Sequence, residues 1–281
     1  LAKAVLGQPL RQASHFVELA AIGARLCVGA HGGPLPSDTG VYVATGLGEI
    51  RKTEALFDQV KPPALGLATP FDFINATPNM AAFHVARLLG LQARNFTVTQ
   101  GVLSFEWALT LAAFDLMENR NPAVLVGGVD ENYFPRRDYL RHWELREGKW
   151  ASEGSAWWWL SRDPKDAKAE LLFVTRLATA GFSTDAWGVA VAAELSHQPR
   201  SLSELNPIAA SALAVSEQEK LKEIFAPARV DTLANFTGTY PTACALALTF
   251  WLERSSALKD GCVHISRAPG ADTMLVGLKR L

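Results

Sequence analysis

Nucleophilic catalysis needs a thiol or hydroxyl beside a base, and a metal site needs several His, Cys or carboxylate ligands at fixed spacing. The chain carries three cysteines, Cys27, Cys244 and Cys262. Cys262 and His264 are two residues apart, which puts them on one face of a strand without making them a catalytic pair. Cys244 lies between Ala243 and Ala245 in an apolar helical stretch, where a thiol serves as a small packing group. Cys27 follows a helix expected to end near Leu26. His15 and Glu18 stand one helical turn apart, with no second His or Cys to complete a ligand set, and HExxH does not occur. There is no GxxxxGK[ST], and Gly46-Leu47-Gly48 lacks the third glycine of a dinucleotide turn. Gly181-Phe182-Ser183 and Gly154-Ser155 lack the closing glycine of a GxSxG elbow. No cofactor and no metal are expected.

The 281 residues include 27 Lys+Arg against 28 Asp+Glu, a net charge of −1, which argues against binding nucleic acid through phosphate contacts. The busiest charged stretch, 136–149, mixes both signs and reads as a solvated loop. An odd number of cysteines without CxxC fits a reducing compartment rather than a disulfide scaffold. The longest apolar run, 242–252, falls short of the roughly 20 residues that cross a bilayer. Residues 1–10 hold no apolar stretch of signal-peptide length, so a soluble, cytoplasmic chain without a membrane span is expected.

Positioning elements follow from pattern. Residues 41–45 are β-branched and aromatic and read as a strand. Thr77 is expected to cap a helix with Pro78 in its first position, running to Leu89 and stopped by Gly90. Residues 96–99 read as a strand, 104–117 as a helix apolar nearly all round and so expected to be buried on most faces, and 123–126 as a strand covered on both faces. Residues 156–160 read as a buried central strand, which accounts for Trp157, Trp158 and Trp159 together. The second half repeats the order: helix 217–225, strand 229–233, apolar helix 241–253, strand 262–266, turn 268–270 and strand 274–278. With no Pro-, Gly- or Ser-rich linker between them, the halves, about 1–165 and 166–281, are expected to form one layered α/β domain.

Several of these stretches together resemble the β-ketoacyl synthases of fatty acid and polyketide synthesis. Asn75-Ala76-Thr77-Pro78-Asn79-Met80-Ala81-Ala82 through Leu89-Gly90-Leu91 resembles the helix before that family's nucleophile strand. Asn95-Phe96-Thr97-Val98 resembles the Asn-x-Thr-Val strand leading to the nucleophile. Val124-Leu125-Val126-Gly127-Gly128-Val129-Asp130-Glu131 is similar to its Val-Ala-Gly-Gly-Ala-Glu strand, and Ser152-Glu153-Gly154-Ser155-Ala156 to its Gly-Glu-Gly-Ala segment. The turn Ser266-Arg267-Ala268-Pro269-Gly270-Ala271-Asp272 takes the place of its C-terminal glycine-rich turn. The likeness runs from about Gln12 to the end and implies a thiolase-like, layered α-β-α-β-α fold.

The departures shape what the resemblance implies. Active members carry the acyl chain on a Cys and use two His, supported by a Lys, in decarboxylative condensation. The cysteine position falls on Val102 counting forward from the Asn-x-Thr-Val strand, on Leu103 counting back from Gly127-Gly128, or on Gln100 with a short insertion. The first His position falls on Asn206, the second on Thr239 or Tyr240, and the Lys on Ala234 or Asn235. None is a nucleophile or base suited to that cycle; Asn206 and Tyr240 retain only hydrogen-bonding capacity. The first residues match a family helix rather than its opening strand, and the stretches 130–152 and 184–206 are short, so the chain is expected to be trimmed relative to full ketosynthases.

These features most resemble the chain-length factors of type II polyketide systems, inactive homologues that heterodimerise with an active ketosynthase, and in particular those of aryl polyene pigment synthesis. Gln100 echoes the Gln that replaces the cysteine in many of them, although a strand-end residue satisfying backbone groups explains it as well. The resemblance implies dimerisation through the strand holding Phe96 and Val98, a ketosynthase partner and an acyl carrier protein reached through the complex. It also implies an acyl tunnel closed near Gln100, Val102, Leu103, Phe105, Glu106 and Trp107, residues that ordinary core packing would equally explain. Glu153 is expected inside apolar surroundings, beside the vestigial pocket. Two alternatives stay open: an atypical acyltransferase or thioesterase using Cys244, Tyr240 or Glu153, and a homodimer that binds carrier protein.

Overall fold

The computed structural model describes residues 2–7, 9–10, 13–33, 35–62, 66–132, 151–198, 205–209, 213–226, 230–232, 237–238, 240–253, 260–268 and 270–281. The charged stretch 136–149 and the positions Ala234, Asn235 and Thr239 lie outside these. The chain divides into two compact units, Leu1–Arg162 with Tyr240–Thr242, and Asp163–Thr239 with Ala243–Leu281.

In the first unit, α1 (Ala2–Leu6) and α2 (His15–His31) precede β1 (Gly40–Ala44), and α3 (Ile50–Val60), α4 (Pro70–Asn75) and α5 (Met80–Leu89) lead to β2 (Asn95–Val98). After a short 3-10 turn come α6 (Ser104–Met117), β3 (Ala123–Asp130) and β4 (Gly154–Ser161). The sheet order is β2-β1-β3-β4, with β1 parallel to β2 and β3, and β4 antiparallel to β3. One face is covered by α2 and α5, whose Phe16, Ala20, Ala24 and Val85 pack with Val41, Val43, Leu125 and Trp157. That dry contact supplies the main folding drive of the unit. Ser14 caps α2 by accepting the Val17 N–H at 3.2 Å, and Gly32 ends the helix in the left-handed region, φ 85°.

Four local expectations change. Helix α2 runs past Leu26 to His31, so Cys27 lies within it. Thr77 is not the cap of α5: its hydroxyl donates to the Ile74 carbonyl at 2.8 Å, finishing α4, and Asn79 takes the cap position. Strand β4 is the outermost of the described strands in its sheet rather than central. It buries aromatic rings all the same, because each face of the strand meets a different layer. Trp157 joins the α2–α5 core, and Trp158 meets the Phe105 ring of α6 edge-on at 5.1 Å. Helix α6 is apolar all round but buries one side: Phe105, Ala108, Leu109 and Ala112 are inside, while the stripe Leu111, Phe114 and Met117 is exposed.

The second unit comprises β5 (Ala169–Leu177), α7 (Thr184–Ser196), β6 (Leu205–Ala209), α8 (Val215–Phe225), β7 (Asp231–Thr232), α9 (Ala243–Glu253), β8 (Gly261–Arg267) and β9 (Thr273–Arg280). Its order is β5-β9-β8-β6-β7, with β6 parallel to β7 and β8, and β9 antiparallel to β8 and β5. The run β7-β6-β8-β9 repeats the directions of β2-β1-β3-β4, and α9 makes the same crossover from β7 to β8 that α6 makes from β2 to β3. Trp187, Val191 and Leu195 of α7 and Leu221 and Phe225 of α8 pack on Val263, Ile265 and Leu275. Among the described residues, no helix is long and apolar enough to cross a membrane.

Candidate functional site

A strand-to-helix elbow forms where β2 gives way to α6. Gln100 leaves the strand at φ −135°, ψ 38°, and Gly101 takes a positive φ of 57°, a conformation glycine adopts without Cβ strain. Val102 and Leu103 then turn inward and are buried. Ser104, fully buried, ties the elbow together: its Oγ accepts the Gln100 N–H at 2.7 Å and lies 2.9 Å from the Thr45 carbonyl and 2.7 Å from the Gly101 carbonyl. These partners are backbone groups, so the hydroxyl is spent on holding the turn and nothing in this set would take its proton. A nucleophile needs such a base. The tip of the elbow thus presents an amide and aliphatic side chains.

The turn after β1 faces the elbow and is fixed by one carboxylate. Asp130, at the end of β3, is fully buried. Its Oδ1 accepts the Thr45 hydroxyl at 2.8 Å and the Gly46 and Leu47 N–H groups at 2.9 and 3.2 Å. Its Oδ2 accepts the Thr242 N–H at 3.0 Å and the Thr242 hydroxyl at 2.8 Å. Burial pushes the Asp130 carboxyl up to about 6, and the hydrogen bonds from the Thr242 and Thr45 hydroxyls and the Gly46 and Leu47 N–H groups hold it back from a larger rise. Close backbone approach explains the neighbouring glycines. A Cβ on Gly46 would run into the Pro241 ring and come within 2.9 Å of the Gly101 carbonyl, and one on Gly154 would strike the Tyr240 ring. The elbow, the β1 turn, the start of β4 and residues Tyr240–Thr242 therefore converge.

Two further carboxylates lie behind that turn. Glu49 caps α3 and is buried; it receives the Ser14 hydroxyl, and burial pushes it up to about 7, with the nearby Glu131 adding to the rise and the Ser14 hydrogen bond opposing it. Glu131 is also raised by burial, opposed by the Arg51 guanidinium at 3.8 Å and the Arg51 N–H at 3.4 Å. Glu153 departs from expectation. It stands at the surface, paired with His15 at 2.8 Å and accepting the Asn132 N–H at 3.0 Å.

Of the residues singled out from sequence, Gln100, Val102, Leu103, Phe105, Glu106, Trp107 and Tyr240 fall in the first unit on or beside these elements. Phe105, Glu106 and Tyr240 are buried and Trp107 is half-buried. Phe96 is 42% exposed on β2, its ring 5.4 Å from that of Tyr42, and Val98 is half-buried. Asn206 lies on β6 of the second unit, in register with Cys262. Sequence reasoning missed the part played by Asp130 and Glu49. The signal was present, since an acid ending the continuous apolar run 123–129 must find partners.

Residues 28–137 match the family model for the β-ketoacyl synthase N-terminal domain. No curated protein sequence matches the chain. The fold is similar to that of the ishigamide ketosynthase/chain length factor, with TM-score 0.80 at 16% identity over 100% of this chain and 85% of that one. It is also similar to a β-ketoacyl synthase from Burkholderia phymatum, with TM-score 0.77 at 15% identity over 96% of this chain and 83% of that one. A type II PKS acyl-carrier protein in complex with its ketosynthase bound to the hexaketide gives 0.77 at 16% identity, covering 95% of this chain and 85% of that one. The chain has the thiolase-like α/β fold of the ketosynthases, reached with a sequence match confined to residues 28–137.

Proposed function

We propose that this chain is a non-catalytic subunit of the chain-length-factor kind, pairing with an active β-ketoacyl synthase and shaping the tunnel in which a carrier-bound acyl chain grows. The observation that carries this reading is the elbow itself: its geometry is tightly built, and Gln100, Val102 and Leu103 supply no nucleophile where the fold would present one. Strand β2 supports a pairing role. It is the outermost described strand on its side of the sheet, and Phe96 on β2 and Leu111 and Phe114 on α6 are exposed, which suits a covered edge rather than a solvated one. Phe105 and Trp107, in the first turn of α6, are the side chains proposed to limit chain length. Type II polyketide or fatty-acid-like synthesis in the cytoplasm, with an aryl polyene as product, is the setting this reading favours.

The test is co-expression with a ketosynthase that keeps its Cys and two His, encoded beside this chain. A one-to-one complex that extends acyl groups only when both chains are present is expected, and Trp107→Ala should lengthen the product. Failure to co-purify, or extension by the ketosynthase alone with unchanged products, would overturn the reading.

A further inference from the structure

With the pairing role proposed above as the basis, we infer that Arg94 and Arg120 select the partner at the β2 edge: the chain they admit carries an acidic residue opposite them, which a second copy of this chain lacks. Arg94 immediately precedes β2, and Arg120 follows the end of α6. Both reach one carboxylate: Arg94 Nη1 lies 3.4 Å from Oδ2 of Asp115, and Arg120 Nη1 lies 3.3 Å from Oδ1. Asp115 is buried and also receives the Tyr42 hydroxyl. The two arginine side chains are 42% and 40% exposed, so each keeps N–H donors open to the surroundings. One carboxylate shared by two guanidiniums leaves a positive charge over, and Glu118, exposed at the end of α6, forms no ion pair with either.

That charge is continuous with exposed apolar surface. The Arg120 guanidinium stands over the Phe114 ring at 4.9 Å, and Leu111 and Met117 are exposed on the same helix. On the strand side, the exposed Phe96 ring lies 5.4 Å from that of Tyr42, whose hydroxyl reaches the same Asp115. A chain that covers these apolar groups also takes the guanidiniums out of water, and a charge so treated needs a partner of opposite sign.

A second copy brings no such group on the facing elements. Two copies joined edge to edge across a two-fold axis run their β2 strands antiparallel, so the start of one strand meets the end of the other. The Arg94–Arg120 end of one copy then faces the elbow end of its twin, residues 99–107. The one acid in that stretch, Glu106, is fully buried. The head of α6 adds the positive end of a helix dipole there. Charges of like sign therefore oppose self-association, and an Asp or Glu at the matching place of a different chain turns the same arginines into an attraction.

The test uses the full chain, the ketosynthase encoded beside it, and the double variant Arg94→Gln with Arg120→Gln, whose amides keep donors for Asp115 while both charges are removed. In sedimentation the chain alone is expected to stay monomeric. Its association with the ketosynthase, followed by surface plasmon resonance, should slow on the order of ten-fold from about 50 to about 500 mM salt. The double variant should associate slower by a similar factor and respond little to salt. Should that variant fail to fold, the salt dependence of the wild-type complex decides. Binding indifferent to salt and to both substitutions overturns selection by charge and leaves the pairing role standing. A stable dimer of the chain alone overturns it equally, and no complex at all removes the pairing role together with it.

Discussion

Asp130 offers the sharpest test of how the candidate site is held. At pH 7.5 its carboxyl is ionised, since burial raises it only to about 6. Asp130→Ala removes both acceptors at once. The Thr45 and Thr242 hydroxyls can turn to other partners, but three backbone N–H groups cannot. Thr242 is fully buried, so its N–H loses about 1–3 kcal/mol when orphaned. Gly46 and Leu47 are half-buried and reach water in part, so each loses about 0.5–1 kcal/mol. The sum is about 3 kcal/mol. Asp130→Asn is the control. Its remaining carbonyl oxygen keeps the Thr45, Gly46 and Leu47 bonds on one side, while its NH2 faces a Thr242 N–H that cannot accept; the expected loss is about 1–2 kcal/mol. Urea unfolding of the three proteins should rank wild type above Asn and Asn above Ala, with m unchanged. Amide exchange at Gly46, Leu47 and Thr242 should quicken together in the Ala variant and only at Thr242 in the Asn variant. Equal loss in both variants, or exchange that stays slow at Thr242, would refute the claim that one carboxylate joins these two turns.

Two other perturbations probe the packing and the titration behind the same site. Glu49 has its carboxyl raised above the unfolded value, so it binds a proton more tightly in the folded chain. Its stabilising contribution is complete at acid pH and is lost as pH rises through about 7. Wild type should therefore lose stability relative to Glu49→Gln between pH 5 and 8, by about 1–3 kcal/mol in denaturant titrations; a constant difference would refute it. Gly127 of β3 lies flat against the Trp157 indole, and a Cβ there would enter the ring. Gly127→Ala should cost about 1–3 kcal/mol by overpacking and shift the tryptophan fluorescence to the red; unchanged emission and stability would mean that the indole has room.

Sequence pattern located the strands and helices that bury strongly. The apolar run at 123–126 and the helix at 104–117 appear where expected because their interiors leave no other solution. What escaped was structure that buries little or breaks a local rule. Strand β6 contains Pro207, which reads against a central strand, yet it pairs on both sides with β7 and β8. Strand β5 mixes Glu170, Thr175 and Arg176 among its apolar residues because it pairs only with β9 among the described strands. Helix α2 carries Gly23 and Gly29 in its interior, and Gly23 is explained by a tertiary contact, since a Cβ there would strike Ser155 and Trp157 of β4. A glycine chosen for closeness looks, in sequence, like a glycine chosen to stop a helix. The elbow was legible as a place, through Asn95-Phe96-Thr97-Val98, but the ties that hold it and the facing turn come from Ser104 and Asp130, which no motif in the sequence singled out.

That division bears on why the elbow persists without a nucleophile. Had the turn been retained only as a remnant, little would oppose its relaxation, because a glycine in the left-handed region and a buried hydroxyl are each costly to keep in place. Instead the Ser104 hydroxyl holds the elbow to itself and to the Thr45 carbonyl, and the five Asp130 bonds fix the β1 turn that faces it. Hydrogen bonds of this kind specify shape more than they add stability, since each exchanges a bond to water for a bond to protein. On the proposed reading, a turn held this way at the head of a helix bearing Phe105 and Trp107 suits a wall against which another chain's substrate is measured. It suits a reacting centre poorly, because its one buried hydroxyl has no proton acceptor except backbone carbonyls among its partners.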